Sequence, residues 1–299
     1  MDLRGEMMPA PKTKNNKPAL KFTIDSWDAE NEGERIIIFG DGGMGKNTLA
    51  SLAPNSIFLP LSDGGKRIRS ALTGKKCSPV KGIETFADLM ELLDDPNFFK
   101  PNQIPVLDDL STLEAWIESH IIENYTVKGK KASSFREFGW DGAGHIVFEL
   151  RKMQTRIDRL IQKGITFVFL SHRQIVNMAN ADQDFIISTL KLRHQRNDSP
   201  LETMFHWADH VVEIEFNDKE YNYEKRGPKT LTKVTGKERV IFTEREANHL
   251  RKSRMFGENG ESLPPIISFD NPGDASFWAF LYPDKYEYDE KNEMWSFKE

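Results

Sequence analysis

Short apolar runs rich in β-branched residues punctuate this chain, each followed by a polar stretch and then by apolar residues at helical spacing. Residues 36–39 (Ile-Ile-Ile-Phe) form such a run, end in glycine and read as a buried strand. Residues 56–61, 104–107, 165–170, 211–216 and 239–243 read as further strands, with 165–170 (Ile-Thr-Phe-Val-Phe-Leu) the clearest. Between them, Phe86, Leu89, Met90 and Leu93 recur at helical spacing over 85–93, and Leu113, Trp116, Ile117 and Ile121 over 113–122. Phe148, Leu150, Met153, Ile157, Leu160 and Ile161 mark a long helix over 146–162 that Gly164 stops. The polar, glycine-containing stretch 128–144 separates it from the helix before. Ser199-Pro-Leu-Glu202 combines a capping box with proline at the first helical position and opens a helix to about Asp209. There is no internal repeat. Strands alternating with helices predict an α/β fold: a mostly parallel sheet with helices on both faces.

Composition bounds this picture. The chain has 299 residues, 38% apolar and 29% charged, which is ordinary for a globular protein. Residues 1–20 form a polar arm containing Pro and Lys that lacks the apolar content to fold alone. A core domain is expected over 21–275. Residues 276–299 are an acidic segment carrying Phe277, Trp278, Phe280, Tyr282, Tyr286, Tyr288, Trp295 and Phe297. It is expected to dock on the core, though an acidic aromatic tail can also compete with nucleic acid for a basic groove. The net charge of −5 excludes a uniformly basic DNA-coating protein, so any nucleic-acid site must be a local basic patch. The single cysteine, Cys77, forms no internal disulfide and rules out a cysteine-based zinc site. No stretch approaches the length of a membrane helix and the start lacks the apolar run of a signal peptide, so a soluble cytoplasmic protein without a membrane partner is expected.

The strongest chemical signal follows the first strand. Gly40, Asp41, Gly42, Gly43, Met44, Gly45 and Lys46 form a glycine-rich turn with a terminal lysine, and a helix over 47–52 follows. Strand, glycine-rich turn and helix make a P-loop. Its glycines let backbone N–H groups converge on phosphate oxygens, and Lys46 reaches the β- and γ-phosphates of ATP. The alternative is a glycine-rich β-turn with an exposed lysine. One position departs from the pattern: the residue after the lysine, whose hydroxyl should ligate Mg²⁺, is Asn47. An Asn carbonyl can ligate a cation, but the side chain is longer and carries an NH₂ that cannot. Thr48 comes one residue too late. Nucleotide binding is therefore expected, and Mg²⁺-assisted turnover is in question.

The strand 104–107 ends in Asp108 and Asp109, like a Walker B strand, and Asp108 is the candidate to hold Mg²⁺ through water together with Asn47. Asp109 is the weaker candidate. The strand 165–170 runs into Ser171 and His172, and His172 is a candidate γ-phosphate sensor. Asp63, just after the second strand, is the nearest acid that can orient an attacking water, although Asp-Gly there reads equally well as a turn.

Several segments in order carry a family resemblance: Gly40 to Thr48; Asp108 with Leu110-Ser-Thr-Leu-Glu114 behind it; Glu137-Phe-Gly-Trp-Asp-Gly142; Phe169-Leu-Ser-His172; Thr189-Leu-Lys-Leu192; His206-Trp-Ala-Asp-His-Val211; and Lys252-Ser-Arg254. The set resembles the phage AAA-type, RecA-like P-loop ATPases linked to single-strand annealing and homologous recombination, over about residues 34–270. The resemblance implies a RecA-like fold, ATP with Mg²⁺, single-stranded DNA binding, and a homo-oligomer, ring or filament, with nucleotide at subunit interfaces. A phage single-strand-binding or annealing protein is a further partner it suggests. It also makes Lys252 and Arg254 a finger that reaches the neighbouring subunit's γ-phosphate; without it, they read as an exposed basic loop. Asn47 and Asp63, where that family usually has a hydroxyl and a Glu, depart from its pattern.

In such a core, mobile loops after the third and fourth strands face the DNA. Lys128, Lys130, Lys131 and Arg136 lie in the first region; residues 174–190 and the basic run Lys191, Arg193 and Arg196 lie in or beside the second. Phe135, Trp140 and Phe185 are candidates to stack on bases. Taken singly, each reads as a solvated charge or a core aromatic. Two other readings stay open: a hexameric helicase-like translocase, and a nucleotide-locked, non-catalytic DNA-binding scaffold.

Overall fold

Alternation along the strands sorts apolar side chains onto two faces of one sheet. The computed structural model describes residues 32–61, 69, 77–101, 103–179, 184–217, 219–226, 229–236, 238–256 and 260–298. The first half runs β1 (Arg35–Gly40), α1 (Lys46–Ser51), β2 (Ser56–Pro60), β3 (Ser78–Pro79), α2 (Phe86–Asp94), β4 (Ile104–Asp108) and α3 (Leu110–Asn124). A small hairpin, β5 (Thr126–Val127) and β6 (Lys130–Lys131), precedes α4 (Asp141–Ile161), β7 (Phe167–Ala179) and β8 (Asp184–Leu190). Then come α5 (Pro200–Trp207), β9 (His210–Phe216), β10 (Lys219–Arg226), β11 (Lys229–Gly236), β12 (Arg239–Phe242) and β13 (Ile266–Ser268). The chain closes with α6 (Ser276–Leu281), β14 (Tyr286–Asp289) and β15 (Met294–Phe297).

The main sheet has the order β13-β12-β9-β1-β7-β4-β2-β3. From β9 to β3 the pairing is parallel; β12 and β13 add antiparallel strands at one edge. This is the expected mostly parallel sheet, with β1 central. Ile37, Phe39, Phe167 and Phe169 face a core completed by α2, α3, α4 and α5. Ile36, Ile38, Val168 and Leu170 face the other, completed by α1, α6 and the last hairpin. Trp278 is fully buried there and donates from Nε1 to the Leu49 carbonyl at 2.7 Å, while the Tyr286 hydroxyl donates to the Leu52 carbonyl at 2.6 Å. The acidic aromatic stretch therefore clamps the helix that follows the phosphate loop. Burying one such aromatic contributes about 2–3 kcal/mol.

At α5 the N-cap half of the expected capping box forms: the Ser199 hydroxyl accepts the Glu202 N–H at 3.3 Å with Pro200 in the first turn. Two expectations are corrected. Helix α4 begins at Asp141, five residues earlier than its apolar period: a side chain on Gly142 would come within 2.9 Å of the Phe135 ring, so this glycine serves close packing, not a loop. Residues 174–179 and 184–190, expected in a loop, are strand. Within them β7 runs out to Ala179 and pairs antiparallel with β8, favoured by β-branched Ile175, Val176, Ile186 and Ile187. The ribbon of β10 and β11 falls outside the strands expected from the sequence. The arm 1–20 and Asp63 lie outside the described residues.

Candidate nucleotide site and its surroundings

β1 delivers the chain to the carboxyl end of the parallel strands, where α/β sheets place their ligands. It ends at Gly40 because β9 passes too close for a side chain: a Cβ there would lie 2.6 Å from the Ile214 carbonyl oxygen. Gly45, with φ 99°, turns the chain into α1 through a conformation that favours glycine. Lys46 is buried, and its ammonium donates to the carbonyls of Gly40 at 3.0 Å and Asp41 at 2.9 Å. The turn thus wraps its own lysine, as a P-loop does. Burial lowers the Lys46 pKa, opposed by the charges of Asp108, Asp41 and Asp109. Gly42 and Gly43 lie exposed on the turn, Met44 is buried, and Thr48 sits in the first turn of α1, its carbonyl accepting the Ser51 hydroxyl at 2.7 Å.

Asp108 ends β4 beside this loop. The Asn47 side-chain amide reaches it, Nδ2 donating to Asp108 Oδ2 at 2.6 Å. Burial raises the Asp108 pKa; the Asn47 hydrogen bond pulls it down, Asp109 pushes it up, and Lys46 and His172 lower it. His172 pairs with Gly40 in the β1–β7 register, so the structure gathers Lys46, Asn47, Asp108 and His172 at one strand end. Asp109 has a structural task. Its carboxylate caps α3, accepting the Thr112 N–H at 3.0 Å and the Ser111 hydroxyl. The expected metal pair, Asn47 and Asp108, does not fit Mg²⁺ in this arrangement. The cation needs oxygen ligands, and Asn47 offers a nitrogen donor that already occupies one oxygen of the carboxylate.

The sequence reading missed the neighbour of His172. Arg173 grips the loop residue Asp41 with Nε at 3.0 Å and Nη2 at 2.7 Å, and pairs on its other side with Glu215. Glu213, fully buried, accepts from Arg251 at 2.7 Å and from the Ser188 hydroxyl at 2.9 Å. Burial pushes the Glu213 carboxyl up, but His249 and Arg251 outweigh it and its pKa ends below the usual range. Glu213, Glu215 and His249 converge closely enough to suggest a metal, yet the guanidinium groups of Arg173 and Arg251 already neutralise the two acids. A cleft of about 510 Å³ opens between this network and the phosphate loop, lined by Asp41, Met44, Arg173, Ile186 and Ile214. One signal was available: two glutamates two residues apart within a buried strand demand buried cations.

Lys252 and Arg254 lie elsewhere. Lys252 exchanges backbone hydrogen bonds with Val211 at 2.8 and 3.0 Å, and Val211 pairs with Ile37, three residues before Gly40. The pair therefore sits on the side of β9 away from β1 and about 10 Å along the strands from its own phosphate loop, towards their amino ends. Lys252 donates to the His206 carbonyl at 3.1 Å, and Arg254 pairs with Asp209 at 2.8 Å. Burial, with Arg254 and Arg35 nearby and despite Asp209, brings the Lys252 pKa down to about 8.

Lys128, Lys130, Lys131 and Arg136 are exposed, as are Lys191 and Arg196. Arg193 is not a free cation. It pairs with Glu114 at 3.5 Å and with Glu118, and its guanidinium lies 4.9 Å over the Phe135 ring. These contacts join the two basic segments, far apart in sequence, at one place. Phe135 is half-buried beneath Arg193; Trp140 is 89% exposed. The Phe185 side chain lies outside the described residues.

A family model described as an AAA domain matches residues 32–255. Among solved structures, a KaiC-like protein from the hyperthermophilic archaeon Pyrococcus horikoshii is 12% identical with a TM-score of 0.36, the match covering 80% of this chain and 90% of that one. A RadB recombinase is 11% identical with a TM-score of 0.39, covering 71% of this chain and 81% of the other. No curated protein sequence matches the chain. Among the described residues no helix is long and apolar enough to cross a membrane.

Proposed function

Because the chain belongs to the AAA-domain family and its core is a RecA-like α/β P-loop fold, we propose that it binds ATP at Gly40 to Thr48 and acts on single-stranded DNA in recombination or strand annealing. The observation that carries the nucleotide reading is the Lys46 ammonium, wrapped by the Gly40 and Asp41 carbonyls at the carboxyl end of β1. Phosphate oxygens replace those carbonyls as its partners, while the loop N–H groups take the remaining oxygens. His172 faces the same end of the sheet, and Arg173 beside it holds Asp41. Phosphate occupancy is thereby transmitted along β7 to the β7–β8 hairpin and to Lys191 just after it. Asp63 is the acid proposed to orient the attacking water.

The DNA surface is formed by Lys128, Lys130, Lys131, Arg136, Lys191 and Arg196, with Trp140 as the stacking platform. Arg193 organises this surface more than it contacts phosphate, because Glu114 and Glu118 hold it. Lys252 and Arg254 act in trans on the nucleotide of an adjacent subunit in a ring or filament; their distance from their own loop favours this. A phage single-strand-binding or annealing protein is the partner that the family resemblance suggests. The nucleotide-locked scaffold stays as a second reading, favoured by the Asn47–Asp108 hydrogen bond, and ATP turnover with and without single-stranded DNA separates the two.

The test of the nucleotide site is Lys46→Ala. Loss of a charge-assisted contact to phosphate lowers ATP affinity by about tenfold to a hundredfold in titration calorimetry. Unchanged affinity refutes the assignment.

A further inference from the structure

We propose that the Asn47 side-chain amide stands in for the divalent cation of the phosphate site, so that this protein takes a nucleoside triphosphate without needing a metal. The proposal rests on the P-loop reading above and specifies its chemistry. Asn47 Nδ2 donates to Asp108 Oδ2 at 2.6 Å, and an ionised carboxylate can only accept, so the amide must present nitrogen to it. The amide has a second N–H. Lying directly after Lys46, Asn47 can offer it to a phosphate oxygen, joining phosphate to Asp108 through hydrogen bonds where a cation would join them through oxygen ligands.

The surrounding acids support this. Asp41 is held in an ion pair by Arg173, which it shares with Glu215, and the Asp109 carboxylate caps α3. Asp108, buried, has Asn47 as its hydrogen-bond donor, with Lys46 and His172 nearby. Among the described residues, Asp41, Asp108 and Asp109 each already have a partner within the chain, which weakens their call on a dication. Turning the amide to aim Oδ1 at a metal would take the donor away from Asp108. Thr48 cannot take over, because one further residue along a helix points its side chain about 100° away.

The experiment is equilibrium binding of fluorescently labelled ATP to the whole chain, in magnesium and in EDTA, for the unaltered protein, Asn47→Thr and Lys46→Ala. The expected affinity of the unaltered protein changes less than about threefold on removing magnesium, and Asn47→Thr, which restores a hydroxyl and frees Asp108, acquires a dependence of at least about tenfold. A tenfold or greater loss for the unaltered protein in EDTA overturns the proposal, and this comparison needs no variant to fold. An Asn47→Thr protein with no added magnesium dependence also counts against it, checked with Asn47→Ser if the threonine variant is unstable. If Lys46→Ala binds as well as the unaltered protein in both buffers, the phosphate-loop reading itself fails, an outcome distinct from metal dependence.

Discussion

Replacing Arg251 with Met probes the buried charge network beside the phosphate loop. Arg251 is 1% exposed and has a single guanidinium serving Glu213 at 2.7 Å, Glu246 at 3.2 Å and Glu215 at 3.6 Å, with the Phe242 ring 4.2 Å beneath it. Met preserves most of the volume, so the cost is electrostatic. Removing one partner of a buried pair costs about 3–5 kcal/mol, because the other charge stays buried without compensation. Arg173 still lies 3.8 Å from Glu213 and Ser188 still donates to it, which places the expectation near the lower end, about 3 kcal/mol. That is a large share of an ordinary folding free energy of about 5–15 kcal/mol. Urea unfolding followed by tryptophan fluorescence reads it directly. The pH dependence gives a second signature. Glu213 has a folded pKa below the usual 4.5, so its contribution is present above that value and is lost as pH falls through the folded pKa. The gap between the unaltered protein and Arg251→Met should therefore narrow as pH falls below the usual 4.5 towards the folded pKa. A cost below about 1 kcal/mol, or one that does not narrow in acid, refutes the view that Arg251 compensates Glu213.

Three further outcomes are expected. Neutralising Lys130, Lys131, Lys191 and Arg196 together should weaken single-stranded DNA binding and reduce the salt slope by about 0.7 per lost phosphate contact, whereas Arg193→Gln should cost more stability than affinity; an unchanged slope moves the DNA site elsewhere. Lys252, with its pKa at about 8, is charged below that pH, so nucleotide-dependent assembly followed by light scattering should weaken as pH rises through it, and Lys252→Arg should carry the profile upward. Because a lysine with a lowered folded pKa costs stability while protonated, Lys252→Met should raise the Tm at about pH 7, with a gain that fades in more alkaline buffer; a pH-independent gain argues against the burial effect.

Much of this architecture is legible in a single chain because its signals are local. The run at 36–39, the glycines after it and the lysine at 46 are neighbours in sequence, and their spacing alone specifies strand, turn and helix. The same holds for the cap at Ser199 and the apolar period of the helix that Gly164 ends. Asp108 was found because an apolar run ending in carboxylates is also a local pattern. What no local pattern carries is which buried charges meet. Arg173, Glu213, Glu215, His249 and Arg251 come from separate strands and a late loop, and only the β9–β1–β7 order brings them beside Asp41. Arg193 looked like one more cation in a basic run until the fold set Glu114, Glu118 and Phe135 against it. The β7–β8 and β10–β11 pairings rest on a partner strand rather than on a local period. Asn47 shows the division within one residue: its departure from the usual hydroxyl is visible in the sequence. That its amide faces Asp108 depends on β1 and β4 flanking β7 in the sheet, since a hydrogen bond across 61 residues of chain exists only when the sheet has formed.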